Sequence, residues 1–337
     1  MMEKRVLMLH TGGTLGMSGR RPTPLKPDTY THALLSHVPE LRQLGHVEVR
    51  ILCNLDSSNM TPARWMDVGT TLAEEHAKFD GFVVIHGTDT MAYTASACAF
   101  LLDGLRKPVI FTGSQRPLGE TRSDARSNLV GAVELATKDI PEVGVFFDSQ
   151  LFRGVRTVKS SVWEYDAFAS PNCGPLAEVG VDLVIHDRVR RPSSPFKLAG
   201  GFESRVVCLE LHPGFHPAIL DSLVQNGVRG LVLRAYGSGN VPVVADLSLV
   251  PAIERAVKAG IAVVIVSQVQ RGGVDLSLYE SGAHARSAGA VDGGDLTTSA
   301  AVVKLMYALQ GGGVEHVRAL FGQDLRGEGG VPAGRVG

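Results

Sequence analysis

The chain lacks most of the features that would set it apart from an ordinary globular enzyme. Its 337 residues carry a formal net charge of −1, so no excess of basic residues equips it for nucleic acid or an acidic membrane surface. Cysteine is scarce. Cys53, Cys98, Cys173 and Cys208 are widely spaced, and no pair has the short spacing of a zinc site or redox motif. Three of these four lie among apolar neighbours and read as small core residues. The 11 histidines form no ligand cluster in the sequence, so no metal is expected. No apolar run approaches the roughly 20 residues that span a bilayer. The first strand follows Met1 too closely to leave room for a secretory signal. The expected setting is cytoplasmic, with reduced thiols and no membrane partner.

What is present is a normal globular balance, 44% hydrophobic and 20% charged, in a chain long enough for two domains. Short apolar runs recur: Val6 to Leu9, Val47 to Leu52, Phe82 to Ile85, Val109 to Phe111 and Val143 to Phe147, then Val206 to Leu209, Leu231 to Leu233 and Ile261 to Val266. They are β-branched and mostly not alternating, as strands buried on both faces should be. Helix-length segments separate them: Pro62 to Lys78, Ala92 to Leu105, Asp124 to Lys138, Ile219 to Asn226, Val250 to Lys258 and Ser299 to Leu309. This alternation predicts an α/β fold with a mostly parallel sheet. The stretch DRVRRPSSPFKLAGG, from Asp187 to Gly201, breaks the rhythm with linker composition. It divides a larger N-terminal domain (1–187) from a smaller C-terminal α/β domain (205–337), with the linker at 188–204. A second, basic and polar interruption runs from Gly154 to Ser161. The glycine-rich tail from Arg326 to Gly337 reads as loose.

Two threonine motifs stand where buried strands should end: His10-Thr11-Gly12-Gly13-Thr14 and His86-Gly87-Thr88-Asp89-Thr90. The carboxyl edge of an open α/β sheet is where ligands bind. Gly12-Gly13-Thr14 could be a phosphate-cradling turn, but no Lys-Ser or Lys-Thr follows it and its glycines miss the dinucleotide spacing. Alternatively, the Thr14 hydroxyl is a nucleophile beside glycine backbone that can face an oxyanion, given a base from elsewhere. Thr88 and Asp89 read equally as the cap of the next helix or as groups that hold an ammonium and polarise a hydroxyl. Asp56-Ser57-Ser58-Asn59 reads as a turn or cap, or as recognition of a small zwitterion. Lys159, in RTVKSS, reads as a solvated lysine or as one drawn into a pocket to relay a threonine proton. His10 and His86 fit structural roles rather than that of a base.

In combination these segments resemble the bacterial L-asparaginases of the cytoplasmic, type I kind. The resemblance is carried by LHTGGTLGM, LDSSNMTP, IHGTDTMAYTASA, RTVK ahead of DAFASPN, RAYGSGN and GGDLTTSAAVVKL, from about Arg5 to about Arg326. It implies hydrolysis of asparagine to aspartate and ammonia through an acyl-enzyme, with Thr14 as nucleophile. Thr88, Asp89 and Lys159 match a proton-handling triad. Asp56, Ser57 and Ser58 match the segment that holds the substrate's α-carboxylate and α-amino groups, and Asp89 faces the ammonium. Asn240 falls in a segment that reaches a neighbouring site. The family implies no metal or organic cofactor, a small-molecule substrate, and a homodimer or homotetramer with sites near subunit interfaces. One departure stands out. Many members carry a tyrosine on the mobile loop after TGGT. Here that loop reads SGRRPTPLKP, Leu25 takes the tyrosine's place, and Tyr30 is out of register. Lys159 acting through Thr88 is then the expected base, under a glycine- and proline-rich lid. Two other readings are an ammonia-supplying subunit of a tRNA-dependent amidotransferase and a non-catalytic amino-acid-binding α/β module. Amidotransferase subunits carry an extra domain ahead of TGGT, where only ten residues precede Thr11 here.

Overall fold

The computed structural model describes residues 3–18, 23–24 and 34–329. Of the loop expected to act as a lid, the described part is Met17–Ser18 paired antiparallel with Thr23–Pro24. Leu25 and Tyr30 lie outside the described residues, and so does the tail from residue 330. The chain divides into two compact units. One holds residues up to Ser170 with Gly174–Ala199, the other Pro171–Cys173 with residues from Gly200 onward.

The first unit is built on an eight-stranded sheet. In chain order its strands are β1 (Arg5–Gly12), β2 (His46–Leu55), β3 (Gly81–Ile85), β4 (Val109–Thr112), β5 (Val143–Phe147), β6 (Gln150–Arg153), β7 (Ala177–Val179) and β8 (Leu183–Ile185). The spatial order is β8-β7-β6-β5-β4-β3-β1-β2. From β2 to β5 all neighbours are parallel. The chain leaves β1 for β2 on one side and returns to β3 on the other. The strand order therefore reverses between β1 and β3, the topological switch point at which a crevice opens beyond the strand ends.

The unbroken apolar runs have a direct cause. Val6, Met8, Val83, Ile85 and Ile110 point to the face covered by α3 (Ala125–Ala136) through Ala125, Leu129, Ala132 and Val133. Leu7, Leu9, Phe82, Val84 and Phe111 are fully buried as well. Helix α2 (Met91–Leu101) packs on β4 and β5, and α1 (Pro62–Glu75) packs on α2. A strand buried on both faces has no exposed positions to make polar, so it does not alternate.

Strands β6 to β8 add an antiparallel extension that periodicity did not announce. The β5–β6 hairpin turns through Asp148 and Ser149, with φ of 44° and 70°. Two non-glycine residues in the left-handed region are an uncommon hairpin turn, so the usual Asn-Gly signal is missing. The start of the interdomain segment is tied down in this unit. A buried Arg153–Glu142 pair, 2.5 Å from Nε to Oε2, also binds the Arg188 carbonyl and the Arg190 N–H. Phe196 stacks on His76 with ring centroids 3.8 Å apart, and Lys197–Leu198 pairs with Leu102–Asp103.

The second unit is a four-stranded parallel sheet, β9 (Val206–Glu210), β10 (Gly230–Ala235), β11 (Ala262–Ser267) and β12 (Val291–Asp292), in sequential order. Its helices are α4 (Ala218–Gln225), α5 (Val250–Lys258), α6 (Glu280–Ser287), α7 (Thr298–Gly311) and α8 (Val314–Phe321). Pro171–Cys173 joins this unit because the Asn172 amide pairs reciprocally with the Gly272 backbone, at 2.9 Å in each direction. Among the cysteines only Cys98 is buried. Cys53 and Cys173 are half-buried and Cys208 is exposed on β9, which corrects the reading of three as core residues.

The expectation of a loose tail from Arg326 is also corrected for its first residues. Glu328 is fully buried and forms an ion pair with the buried Lys304 of α7, 2.5 Å apart. The same carboxylate accepts the N–H groups of Leu325 and Arg326, and Lys304 donates to the Gln323 carbonyl. A paired, hydrogen-bonded ion pair tolerates burial, whereas either charge alone does not. Replacing Glu328 with alanine is therefore expected to cost about 3–5 kcal/mol of stability in urea unfolding, through the stranded lysine. The double replacement Lys304→Met with Glu328→Leu should recover much of that loss.

Candidate active site

Three loops at the carboxyl ends of β1, β2 and β3 meet at close glycine contacts. Gly13, with φ +95°, lies so close to the next loop that a Cβ there would sit 2.6 Å from the Gly87 Cα. A Cβ on Gly87 would in turn sit 2.6 Å from the Ser57 Oγ. Thr11 Oγ1 donates to the Ile85 carbonyl at 3.0 Å, and Thr90 Oγ1 donates to the Ser57 carbonyl at 2.7 Å. Thr14 opens a short 3₁₀ turn, Thr14–Gly16, one residue after Gly13. Thr88 comes one residue after Gly87, so the same glycine contact sets where both threonines start.

Lys159 reaches this edge from a short ribbon, Val158–Lys159 paired antiparallel with Phe168–Ala169. Its Nζ donates to Thr88 Oγ1 at 2.8 Å and lies 2.6 Å from Asp89 Oδ1. The Lys159 side chain is 17% exposed and that of Asp89 is 65% exposed, so the cation sits in the wall while the carboxylate looks outward. The cap reading of this motif is only partly realised. Thr90 occupies the cap position of α2, but its hydroxyl turns away to Ser57, and Asp89 turns to Lys159.

Asp56 caps the 3₁₀ turn Ser57–Asn59. Its Oδ1 accepts from Ser58 Oγ at 2.7 Å and Ser58 N at 2.8 Å. The Ser58 hydroxyl and N–H hold the Asp56 carboxyl below the usual carboxylate range, so it is charged at neutral pH. Ser57 is buried and Ser58 is exposed. Asn240 belongs to the second unit, where its backbone pairs with Tyr236 and its Oδ1 accepts from Ser281 Oγ at 2.8 Å. Among the described residues, no group of three or more His, Cys, Asp or Glu is arranged to hold a metal ion.

The two motif histidines are structural. The Gly87 carbonyl, 2.7 Å from His86 Nδ1, can only accept, so Nδ1 carries the proton and Nε2 takes the Thr94 hydroxyl at 2.8 Å. Burial pushes the pKa of His86 down to about 4, only partly offset by the Gly87 bond. Burial likewise lowers His10 to about 4. Gln115 was not singled out from the sequence. It stands at the end of β4, its Oε1 3.5 Å from Thr88 Oγ1. Its signal was position alone: Gly113-Ser114-Gln115 follows a recognised strand at the same sheet edge.

Thr88, the paired Lys159 and the outward Asp89 stand together at the topological switch point of the sheet, the edge at which an α/β enzyme binds its ligand. The chain belongs to the asparaginase family. The family model for the asparaginase N-terminal domain matches residues 5–191, and that for the glutaminase/asparaginase C-terminal domain matches residues 205–321. It is 36% identical to L-asparaginase 1 of Escherichia coli K12, over 97% of this chain and 98% of that protein. It is similar in structure to the thermostable L-asparaginase of Thermococcus kodakarensis, with a TM-score of 0.91, 32% identity, and coverage of 97% and 99% of the two chains. It is also 36% identical to a glutamyl-tRNA(Gln) amidotransferase chain of Aeropyrum pernix, over 97% of this chain and 79% of that one.

Two outcomes test this architecture. Gly13→Ala forces apart the loops that carry both threonines, and turnover should fall roughly 100-fold, as reacting groups displaced by about 1 Å do. Acid should also weaken the fold in a defined window. Between about pH 6.5 and about pH 4 the unfolded chain protonates His10 and His86 while the folded chain does not. The unfolded state then binds more protons, so stability is complete above the window and is lost as pH falls through it. Each histidine contributes about 3 kcal/mol at most. Urea unfolding of His86→Gln should show a smaller acid loss than the parent.

Proposed function

We propose that this enzyme hydrolyses the side-chain amide of L-asparagine to aspartate and ammonia through an acyl-enzyme on Thr14. The observation that carries the reading is Lys159 Nζ held against Thr88 Oγ1 and Asp89, in a loop fastened by its glycine to the loop of Thr14. Thr14 Oγ1 attacks the amide carbon. Thr88 Oγ1 accepts the proton of Thr14 and passes its own to Lys159 in the amine form. Backbone N–H groups at the glycine contact, that of Thr88 included, face the developing oxyanion. The proton returns to the amide nitrogen as the C–N bond breaks, and ammonia leaves. Water then attacks the ester by the same relay and restores the Thr14 hydroxyl.

Asp56, Ser57 and Ser58 hold the α-carboxylate and α-amino groups. Asp56 takes the ammonium on the oxygen that does not cap the turn, and Asp89 adds a second charge. Asn240 completes a neighbouring site in a homodimer or homotetramer. The reading places the enzyme in the cytoplasm, acting on a small molecule without metal or organic cofactor. Among the described residues no helix is long and apolar enough to cross a membrane.

Ammonia release from asparagine, glutamine and a simple amide tests the reading. Thr14→Ala and Lys159→Met should each reduce release from asparagine by about 1,000-fold or more. Release from no free amide would move the assignment to an amidotransferase subunit or a binding module.

A further inference from the structure

His86 offers no base, yet it is tied down at three points beside the reacting groups. Its backbone N–H continues the β3–β4 ladder, donating to the Thr112 carbonyl at 2.9 Å. Its ring is buried beside Phe111, with centroids 6.1 Å apart, and takes the hydroxyl of the fully buried Thr94 on Nε2 at 2.8 Å. Nδ1–H then reaches forward one residue to the Gly87 carbonyl at 2.7 Å.

That last bond acts on a whole peptide unit. The Gly87 carbonyl and the Thr88 N–H share one planar trans unit and point in opposite directions. A carbonyl drawn back onto a buried ring therefore turns the Thr88 N–H away from that ring. Among the described residues, no backbone carbonyl takes this N–H. Glycine is what makes the bond necessary. A Cβ at position 87 would sit 2.6 Å from Ser57 Oγ, so the close approach demands glycine there. Glycine also leaves the adjoining peptide freer to rotate than any other residue would. Capture of the carbonyl removes that freedom. We infer that His86 is a positioning residue of the reaction: by holding the Gly87 carbonyl it aims the Thr88 N–H at the oxygen that gains charge when Thr14 attacks. A donor aimed in advance lowers the barrier because nothing has to reorganise as the charge develops. Thr94 serves the same end by holding the ring at its far nitrogen. The inference rests on the proposed acyl-enzyme reading, in which the Thr88 N–H faces the oxyanion. It requires no proton from His86 and no particular charge on Lys159.

The test compares His86→Asn with His86→Leu. The two replacements have nearly the same shape and leave the same outer part of the ring's space empty. Asn carries an amide N–H where Nδ1 stood, and Leu carries none. In both, the Thr94 hydroxyl keeps the Thr90 carbonyl, 3.4 Å away, as an acceptor. Ammonia release from asparagine is measured for parent and variants, with unfolding midpoints alongside. His86→Leu should lower kcat by roughly 10- to 100-fold, up to the cost of losing an oxyanion donor, with KM within about twofold. His86→Asn should retain severalfold more kcat than His86→Leu. Unchanged kcat in His86→Leu, a loss confined to KM, or equal kcat in the two folded variants overturns the inference. Should His86→Leu fail to fold, Thr94→Val tests the same link, since it keeps the imidazole and removes its Nε2 partner. A severalfold fall in kcat at unchanged KM then supports the inference, and an unchanged kcat overturns it. A parent enzyme that releases no ammonia overturns the proposed function, and this inference with it. An active parent with an indifferent His86→Leu removes only the role of His86.

Discussion

The site depends on a contact between two glycines. Gly13 and Gly87 stand near the start of the loops after β1 and β3, and neither has room for a Cβ. Hydroxyl chemistry of this kind needs the nucleophile and its proton acceptor held to within a fraction of an ångström. Side-chain packing alone gives that precision poorly on loops, because each loop can shift against the other. Direct backbone contact leaves little to shift. The Ser57 side chain packs on Gly87 and brings in a third loop, so the residues proposed to hold substrate share one frame with those proposed to react.

Around that contact the site divides its charges by depth. Lys159 is mostly enclosed and Asp89 mostly open, although they form one ion pair. In the proposed mechanism the enclosed lysine exchanges a proton with its hydroxyl partner, and the exposed carboxylate meets a charged substrate. The two histidines nearest the motifs are kept out of this chemistry by desolvation. His86, neutral and bonded at both nitrogens, staples the Gly87 carbonyl to Thr94 of α2. It stiffens the loop that carries Thr88 and offers no basic nitrogen of its own.

Much of the arrangement was legible in the order of residues, and the exceptions have physical causes. Strands β1, β3, β4 and β5 declared themselves because burial on both faces demands unbroken β-branched and aromatic runs. Helix α5 was legible to the residue, Val250 to Lys258, because one side of it packs on the sheet and the other meets water. Strands β7 and β8 are three residues each and partly exposed, too short and too mixed for a pattern to rise above chance. Glu328 was invisible for a different reason. Nothing local distinguishes a buried glutamate from a solvated one until its lysine, 24 residues earlier, is known to face it. The cysteines misled in the same way, since apolar neighbours along the chain do not make Cys208 a core residue when its strand is half open.

Residue order by itself decided the family of fold, the switch-point loops and the set of chemical groups, because hydrophobic period and glycine placement are local properties of a chain. It left open whether the Lys159 side chain was solvated or drawn against other groups, and whether Thr88 and Asp89 merely capped a helix. Those were settled only when strands far apart in sequence were laid side by side. A hydrogen bond between residues 71 positions apart, such as that from Lys159 to Thr88, has no local signature, since it is a property of the distance between two elements and not of either one.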